Sequence, residues 1–352
     1  MACRYCYLTK KRYPRDLDEK TLKKALDIFF YFPPKDKSIM FSGGEPLLNF
    51  GLLKKAVIYL RKKEKNSASL INISLLTNGT LLDKNKIDFL SGCKVKTIIS
   101  LDGPRATCDQ NRIFADSHGE SCFKKIMENL KQAQGKQFGA SLVFGRTNFR
   151  QLPQNLNFLN SLKKFDQIDF YPQLYQVWTP AELKELKAVF GQIKRNYLAL
   201  FNKKKPCFKI SLLYSFLKQS YLFKRNACAK ILLGADGNFY LACPAFFSIA
   251  LLGREKYKVG DWRSGIDFQK RLKYLNKAEK AVSQIINFRS PKARLTQPFC
   301  FFNAFYYSCL NKKDHRKYLD NIREISEIYR NFFLSIKENL ISNQKFRRLY
   351  SI

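Results

Sequence analysis

The sequence predicts an α/β fold: a parallel strand-and-helix array up to about residue 205, then a smaller cysteine-containing region. Three observations carry this expectation. From Asp18 to about residue 202, short apolar runs alternate with amphipathic helical stretches, the rhythm of parallel strands joined by helical crossovers. The motifs with chemical potential fall just past the apolar runs, where such an array gathers its ligands. After Lys203-Lys204-Lys205-Pro206 the alternation gives way to a loop-rich stretch with cysteines, Cys207 to about Cys309.

Taken in order, Leu22, Ala25, Leu26, Phe29 and Phe30 recur at helical spacing and mark the buried face of a first helix, which Pro33-Pro34 ends. Ser38-Ile39-Met40-Phe41 is a short strand, followed by a Gly-Gly turn and a helix from about Phe50 to Lys65. Further strands are expected at Leu70 to Leu76, Val95 to Leu101, Ala140 to Phe144 and Ile168 to Tyr171. Helices are expected from about Asp83, Ser121, Gln151 and Pro180. A single basic helix from about Lys312 toward Tyr350 closes the chain.

With 352 residues, 45% of them apolar and 14% aromatic, the chain can bury a sizeable core. No apolar run reaches the length of a membrane span and the first residues lack a secretory hydrophobic run, so a soluble cytoplasmic protein is expected. In such a chain ten cysteines point to metal ligands, reactive thiols or buried small residues rather than to a disulfide framework. Two histidines, His118 and His315, leave histidine-rich metal sites poorly supplied. The net charge of +36 would draw anionic partners, but it is diffuse and no nucleic-acid-binding motif accompanies it.

Four motifs stand out. Cys3 and Cys6, with Tyr5 between them, form a C-x2-C pair whose thiolates can converge on one metal or cluster, although a redox dithiol or a zinc half-site reads the same way. Ser42-Gly43-Gly44-Glu45-Pro46 combines two glycines that allow close backbone approach with a carboxylate for a ligand's ammonium; a tight turn whose Glu45 favours the next helix's N-terminus is the plainer alternative. Leu76-Thr77-Asn78-Gly79-Thr80 and Ser100-Leu101-Asp102-Gly103-Pro104 each sit just beyond a strand and, singly, read as turns.

Their joint order resembles the radical S-adenosylmethionine (SAM) superfamily, and more narrowly its SPASM-type peptide-modifying maturases. Asp109-Gln110-Asn111-Arg112 and Gly119-Glu120-Ser121-Cys122-Phe123 are similar to that branch too, with Cys108 where a histidine is common. The resemblance implies a [4Fe–4S] cluster on the opening loop, open at one iron to the amino and carboxylate groups of SAM. Reductive cleavage of SAM would then yield methionine and a 5′-deoxyadenosyl radical that takes hydrogen from the substrate. By position it implies Cys3 and Cys6 as cluster ligands and Tyr5 beside the adenine. Gly43, Gly44 and Glu45 would meet the methionine ammonium, Asn78 would join the cofactor site, and Ser100 and Arg112 would reach the ribose and carboxylate. The family loop carries one more cysteine, two residues before Met1, and a strand ahead of it. The expectation is therefore a partial (β/α)6 TIM-like barrel lacking its first strand, on a chain truncated at its N-terminus.

In the later region Cys228 precedes Ala235-Asp236-Gly237-Asn238-Phe239-Tyr240-Leu241-Ala242-Cys243, an Asp-Gly hairpin ending in a cysteine, similar to the family's first auxiliary-cluster segment. Cys300 and Cys309 match two positions of its later cysteine run. The four could make one auxiliary [4Fe–4S] cluster or a zinc site, or be buried cysteines left from a lost site. Cys93, Cys108, Cys122 and Cys207 are read as ordinary cysteines. Pro244 stands where sulfatase-activating members carry an aspartate, which argues against sulfatase maturation. The expected organisation is a radical SAM core over 1–205, a degenerate SPASM-like domain over 206–311 and a C-terminal basic helix over 312–352. The resemblance further implies a peptide or small protein substrate, acidic if the basic surface serves it, and a reductant such as flavodoxin or ferredoxin. Nucleic acid and membrane are not expected partners. A non-catalytic scaffold that binds an acidic peptide stays open at this point.

Overall fold

The chain is seen as a computed structural model that describes residues 3–6, 16–31, 36–67, 69–114, 120–173, 176–202, 207–218, 231–241, 257–283 and 315–352. Its first part is a five-stranded sheet of β1 (Lys37–Phe41), β2 (Ile71–Thr77), β3 (Lys96–Ser100), β4 (Phe138–Phe144) and β5 (Phe165–Pro172). The strands lie in chain order and every neighbouring pair is parallel. All five predicted strands are present, within about three residues at each end.

The crossovers are helices, as the alternation requires: α1 (Glu19–Tyr31) leads in, α2 (Phe50–Lys65) and α3 (Lys84–Gly92) follow β1 and β2, α4 (Arg105–Asn111) and α5 (Cys122–Lys131) follow β3, and α6 (Leu152–Ser161) and α7 (Pro180–Asn202) follow β4 and β5. Their starts are written in side chains. Asn49, Asp83 and Ser121 each accept a hydrogen bond from a backbone N–H in the first turn of α2, α3 and α5. Short α4, just past Pro104, was not foreseen, because seven residues carry too little periodicity to announce a helix.

Each strand sends alternate residues into the helix layer. In β2 these are Ile71, Ile73 and Leu75, all nearly inaccessible. The core then thickens toward β5, where Phe170 packs against Phe190, Tyr329 and Phe332. The last two belong to α10 (His315–Leu340), which lies along α7 and whose Tyr329 hydroxyl donates to the Phe170 carbonyl at 2.6 Å. The expected basic helix is thus polar on one side only; its apolar side completes the core beside β5. It is also two helices rather than one. The chain turns at Ile341–Ser342, and the Asn343 side chain caps α11 (Gln344–Tyr350) through Phe346 N–H.

Between these parts lie α8 (Ser211–Leu217), seated on β5, and a second, antiparallel sheet of β6 (Ile231–Leu233), β7 (Asn238–Leu241), β8 (Lys258–Asp261) and β9 (Gly265–Ile266), followed by α9 (Phe268–Ser283). The predicted Asp236-Gly237 hairpin joins β6 to β7, with Gly237 at φ +77°. Among the described residues no helix is long and apolar enough to cross a membrane.

Candidate functional site

The motif residues sit at the carboxyl ends of β1, β2 and β3, and two groups of contacts organise them. The first centres on Glu45. Its Oε1 accepts from the Thr77 hydroxyl at 2.6 Å and from Leu47 N–H at 3.1 Å, and its Oε2 accepts from Asn78 N–H at 2.7 Å. One carboxylate therefore locks the loop after β1 to the loop after β2. Asn78 turns its own Oδ1 to Thr80 N–H and the Thr80 hydroxyl. Its amide nitrogen has no described partner. Gly43, at φ +140°, and Gly44 border open space, since a Cβ on either would meet nothing within 4 Å. That is an open cradle at a strand end, with a fixed carboxylate beside it.

The second group centres on Asp102, which is fully buried. It binds Arg112 through two hydrogen bonds, from Nε to Oδ2 at 3.1 Å and from Nη2 to Oδ1 at 2.9 Å. It also accepts from the Tyr5 hydroxyl at 2.5 Å and from Val143 N–H at 3.1 Å. The Arg112 guanidinium lies 5.3 Å from the Tyr5 ring centre, and Arg4 N–H donates to the Asn111 carbonyl at 2.9 Å. The C-x2-C segment is thereby pinned to the end of β3 and to α4, and closed as a turn by Cys6 N–H on the Cys3 carbonyl.

Burial would strip Arg112 of its charge, yet the Asp102 carboxylate overrides this and holds it well above the ordinary arginine range. The same burial raises the Tyr5 hydroxyl and the Cys3 thiol, the latter eased by Arg112. Arg112 keeps Nη1 without a described partner, so a ligand carboxylate can still reach it.

Asp102 is the functional residue that sequence reasoning passed over, although it stood in plain view in Ser100-Leu101-Asp102-Gly103-Pro104. The signal was its spacing: two residues past Ser100, it shares that residue's face of the strand. Gly103 makes the following turn possible. At φ +146° its missing Cβ would lie 2.5 Å from Asn155 Oδ1.

Cys108 and Cys122 are not independent bystanders. Both are buried, at 0% and 1% exposure, and Cys108 donates its thiol proton to Cys122, which lowers the Cys122 pKa and raises that of Cys108. Cys122 also feels Arg112 and, through it, belongs electrostatically to the same neighbourhood as Cys3.

The sequence-predicted residues thus fall into two contact groups, with Ser100 at the end of β3, two residues before Asp102. Tyr5 and Arg112 meet through Asp102, with Cys3 and Cys6 on the turn that Tyr5 anchors. Glu45 and Asn78 meet directly, next to Gly43 and Gly44. No described hydrogen bond joins one group to the other. Cys3 and Cys6 fit as two thiolate ligands on one turn. The described residues bring no third cysteine, histidine or carboxylate into a metal-binding group with them. Cys228, Cys243, Cys300 and Cys309 lie outside the described residues, as does Pro244.

Comparison with known proteins agrees with these motifs. Residues 1–159 match the family described as the Radical SAM superfamily. An uncharacterised protein of Methanocaldococcus jannaschii is 38% identical over 103 residues, 29% of this chain and 35% of the relative. The serine-type anaerobic sulfatase-maturating enzyme of Bacteroides thetaiotaomicron is 27% identical over 213 residues, 57% of this chain and 50% of the enzyme. The radical SAM cyclopropyl synthase TigE of Paramaledivibacter caminithermalis is 25% identical over 146 residues, 37% of this chain and 30% of the enzyme. The chain thus spans half or less of the length of these relatives. The solved structure "Native anSMEcpe with bound AdoMet" superposes with a TM-score of 0.71 at 19% identity, over 96% of this chain and 95% of that one, so the fold is shared. Residues 1–159 thus match the radical SAM superfamily, and the chain is similar to the anaerobic sulfatase-maturating enzymes.

Proposed function

We propose that this protein is a cytoplasmic radical SAM enzyme that cleaves SAM reductively and modifies a peptide or small protein. The observation that carries the reading is the pair of carboxylate clamps: partly buried Glu45 ties the Gly-Gly loop to the Thr-Asn-Gly loop, and buried Asp102 ties Tyr5 to Arg112 at the end of the next strand. Clamps of this kind hold binding groups at the precision that oriented catalysis requires. The family implies a [4Fe–4S] cluster and SAM, which together supply a 5′-deoxyadenosyl radical able to take a hydrogen atom from an unreactive carbon.

In this reading Cys3 and Cys6 would hold the cluster as thiolates, Arg112 easing the burial that raises the Cys3 thiol. Gly43 and Gly44 leave room for the methionine end of SAM. Glu45 and the amide nitrogen of Asn78 would serve its ammonium and carboxylate, Arg112 would offer Nη1 to the same carboxylate, and Tyr5 and Ser100 would serve the adenine and the ribose. No residue is assigned to proton or hydrogen transfer with the substrate.

A peptide substrate is supported by the relatives, one of which was solved as "Native anSMEcpe with bound AdoMet and Cp18Cys peptide". The net charge of +36 suits an acidic peptide and a small acidic electron donor of the flavodoxin or ferredoxin kind. Pro244 in place of an aspartate directs the proposal away from sulfatases. The six free cysteines among the described residues accord with a reducing compartment. The test is anaerobic reconstitution with iron and sulfide of a form carrying Cys-Asn ahead of Met1, followed by assay for 5′-deoxyadenosine under strong reductant. Nucleoside formed in proportion to enzyme is expected; none, from a protein with an intact cluster, refutes the proposal.

A further inference from the structure

Ser141 of β4 stands in register with Ser100 of β3. Their sequence neighbours fix the direction of both side chains. Ile99 and Leu101 are fully buried, as are Ala140 and Leu142, and Phe144 packs against Trp178 and Phe190 of the helix side. Strand alternation therefore turns Ser100, Ser141 and Val143 to the opposite face, where Val143 N–H meets Asp102. Both serines are partly buried, and neither hydroxyl has a hydrogen-bond partner among the described residues. The next position of this row, Asp169, is consumed: it accepts from Ser211 N–H at 2.7 Å, the Ser211 hydroxyl at 2.6 Å and Gln167 Nε2 at 2.6 Å. The row of open polar groups ends at Ser141.

Two open hydroxyls on adjacent strands, whose backbones run about 4.8 Å apart, form a pair that can grip two neighbouring oxygens of one ligand. Among the parts of SAM, only the ribose carries a vicinal diol. We propose that Ser141 is a binding residue for the ribose diol, sharing it with Ser100 and selecting a ribonucleoside over its deoxy counterpart. This rests on the reading of the site as a SAM site.

The experiment is equilibrium binding of SAM, 2′-deoxy-SAM and 3′-deoxy-SAM to the reconstituted protein, comparing wild type with Ser141→Ala and Ser100→Ala. One hydrogen bond lost without strain weakens binding about 2- to 10-fold. Ser141→Ala is expected to weaken SAM by that factor, to leave one deoxy analogue within about twofold of its wild-type affinity, and to keep the wild-type melting temperature. Unchanged SAM binding by Ser141→Ala overturns the proposal, as does an equal loss for SAM and both analogues. A reconstituted wild-type protein that binds no SAM overturns the functional reading along with it, whereas SAM binding that ignores residue 141 overturns this inference alone.

Discussion

Replacing Asp102 with alanine should be the most damaging single change at the site. The carboxylate is inaccessible and receives four hydrogen bonds, from Tyr5, twice from Arg112, and from Val143. Arg112 is itself only 5% exposed, so the variant leaves a guanidinium in the interior with its counter-charge gone. Breaking a buried ion pair from one side costs about 3–5 kcal/mol, a large share of the roughly 5–15 kcal/mol that holds a domain together. At about 2 °C per kcal/mol for a large domain, melting should fall by roughly 6–10 °C. The assay is anaerobic thermal unfolding of Asp102→Ala, Arg112→Met and the double variant. Because the double variant removes the stranded charge as well, it should be more stable than the sum of the single effects by about 1–3 kcal/mol. Asp102→Ala, alone or in the double variant, should also speed alkylation of Cys3, since Tyr5 loses the partner that pins its turn. Effects of the two substitutions that add to within about 0.5 kcal/mol would refute the argument, as would a melting shift under about 2 °C.

Three further outcomes follow from the same structure. Tyr350→Phe removes a buried hydroxyl that accepts from Ile210 N–H at 2.9 Å and pairs with Tyr197 at 2.8 Å, and should cost about 1–3 kcal/mol in chemical denaturation; a loss near zero would show that α11 is not fastened there. Asp169 is raised above the ordinary aspartate value by burial, which outweighs its hydrogen bonds from Ser211 and Gln167. The folded state therefore holds that proton more tightly than the unfolded chain, and stability falls as pH climbs from about 4 toward the raised value. Asp169→Asn should flatten the wild-type slope in that window, and parallel slopes would contradict the assignment. Gly103→Ala forces a Cβ to within 2.5 Å of Asn155 Oδ1 at φ +146° and should destabilise by roughly 1–3 kcal/mol; a neutral result in thermal melts would mean that the loop relaxes freely.

Much of the parallel sheet was legible because burial repeats along it. Runs such as Ile71 to Thr77 sit between helices whose first turns carry their own capping side chains, so apolar period and cap chemistry agree on where each element begins. The motif loops were legible for a related reason: a glycine at φ +140° and a strand end leave little choice of residue. The breaks in legibility have causes too. The course of α10 across α7 depends on Tyr329 and Phe332 meeting Phe170 and Phe190, contacts between residues more than 130 positions apart that no local pattern encodes. Asp102 was read as part of a turn because its partners lie 97 residues before it and 10 and 41 residues after it. The link between Cys108 and Cys122 escaped a search for metal spacing because it arises from the packing of α4 against α5, which Asp109 fastens by accepting from the Ser121 hydroxyl and from Phe123 N–H.

The central claim is that the cysteine turn and the loops after β1, β2 and β3 surround one ligand. Crystals of the reconstituted protein grown with SAM, measured at the iron absorption edge, test it most directly. The account predicts anomalous iron density bonded to Cys3 and Cys6, with the methionine end of SAM against Gly43, Gly44 and Glu45 and its nucleoside against Ser100 and Tyr5. Iron bound away from that turn, or SAM seated anywhere but among these loops, would contradict it.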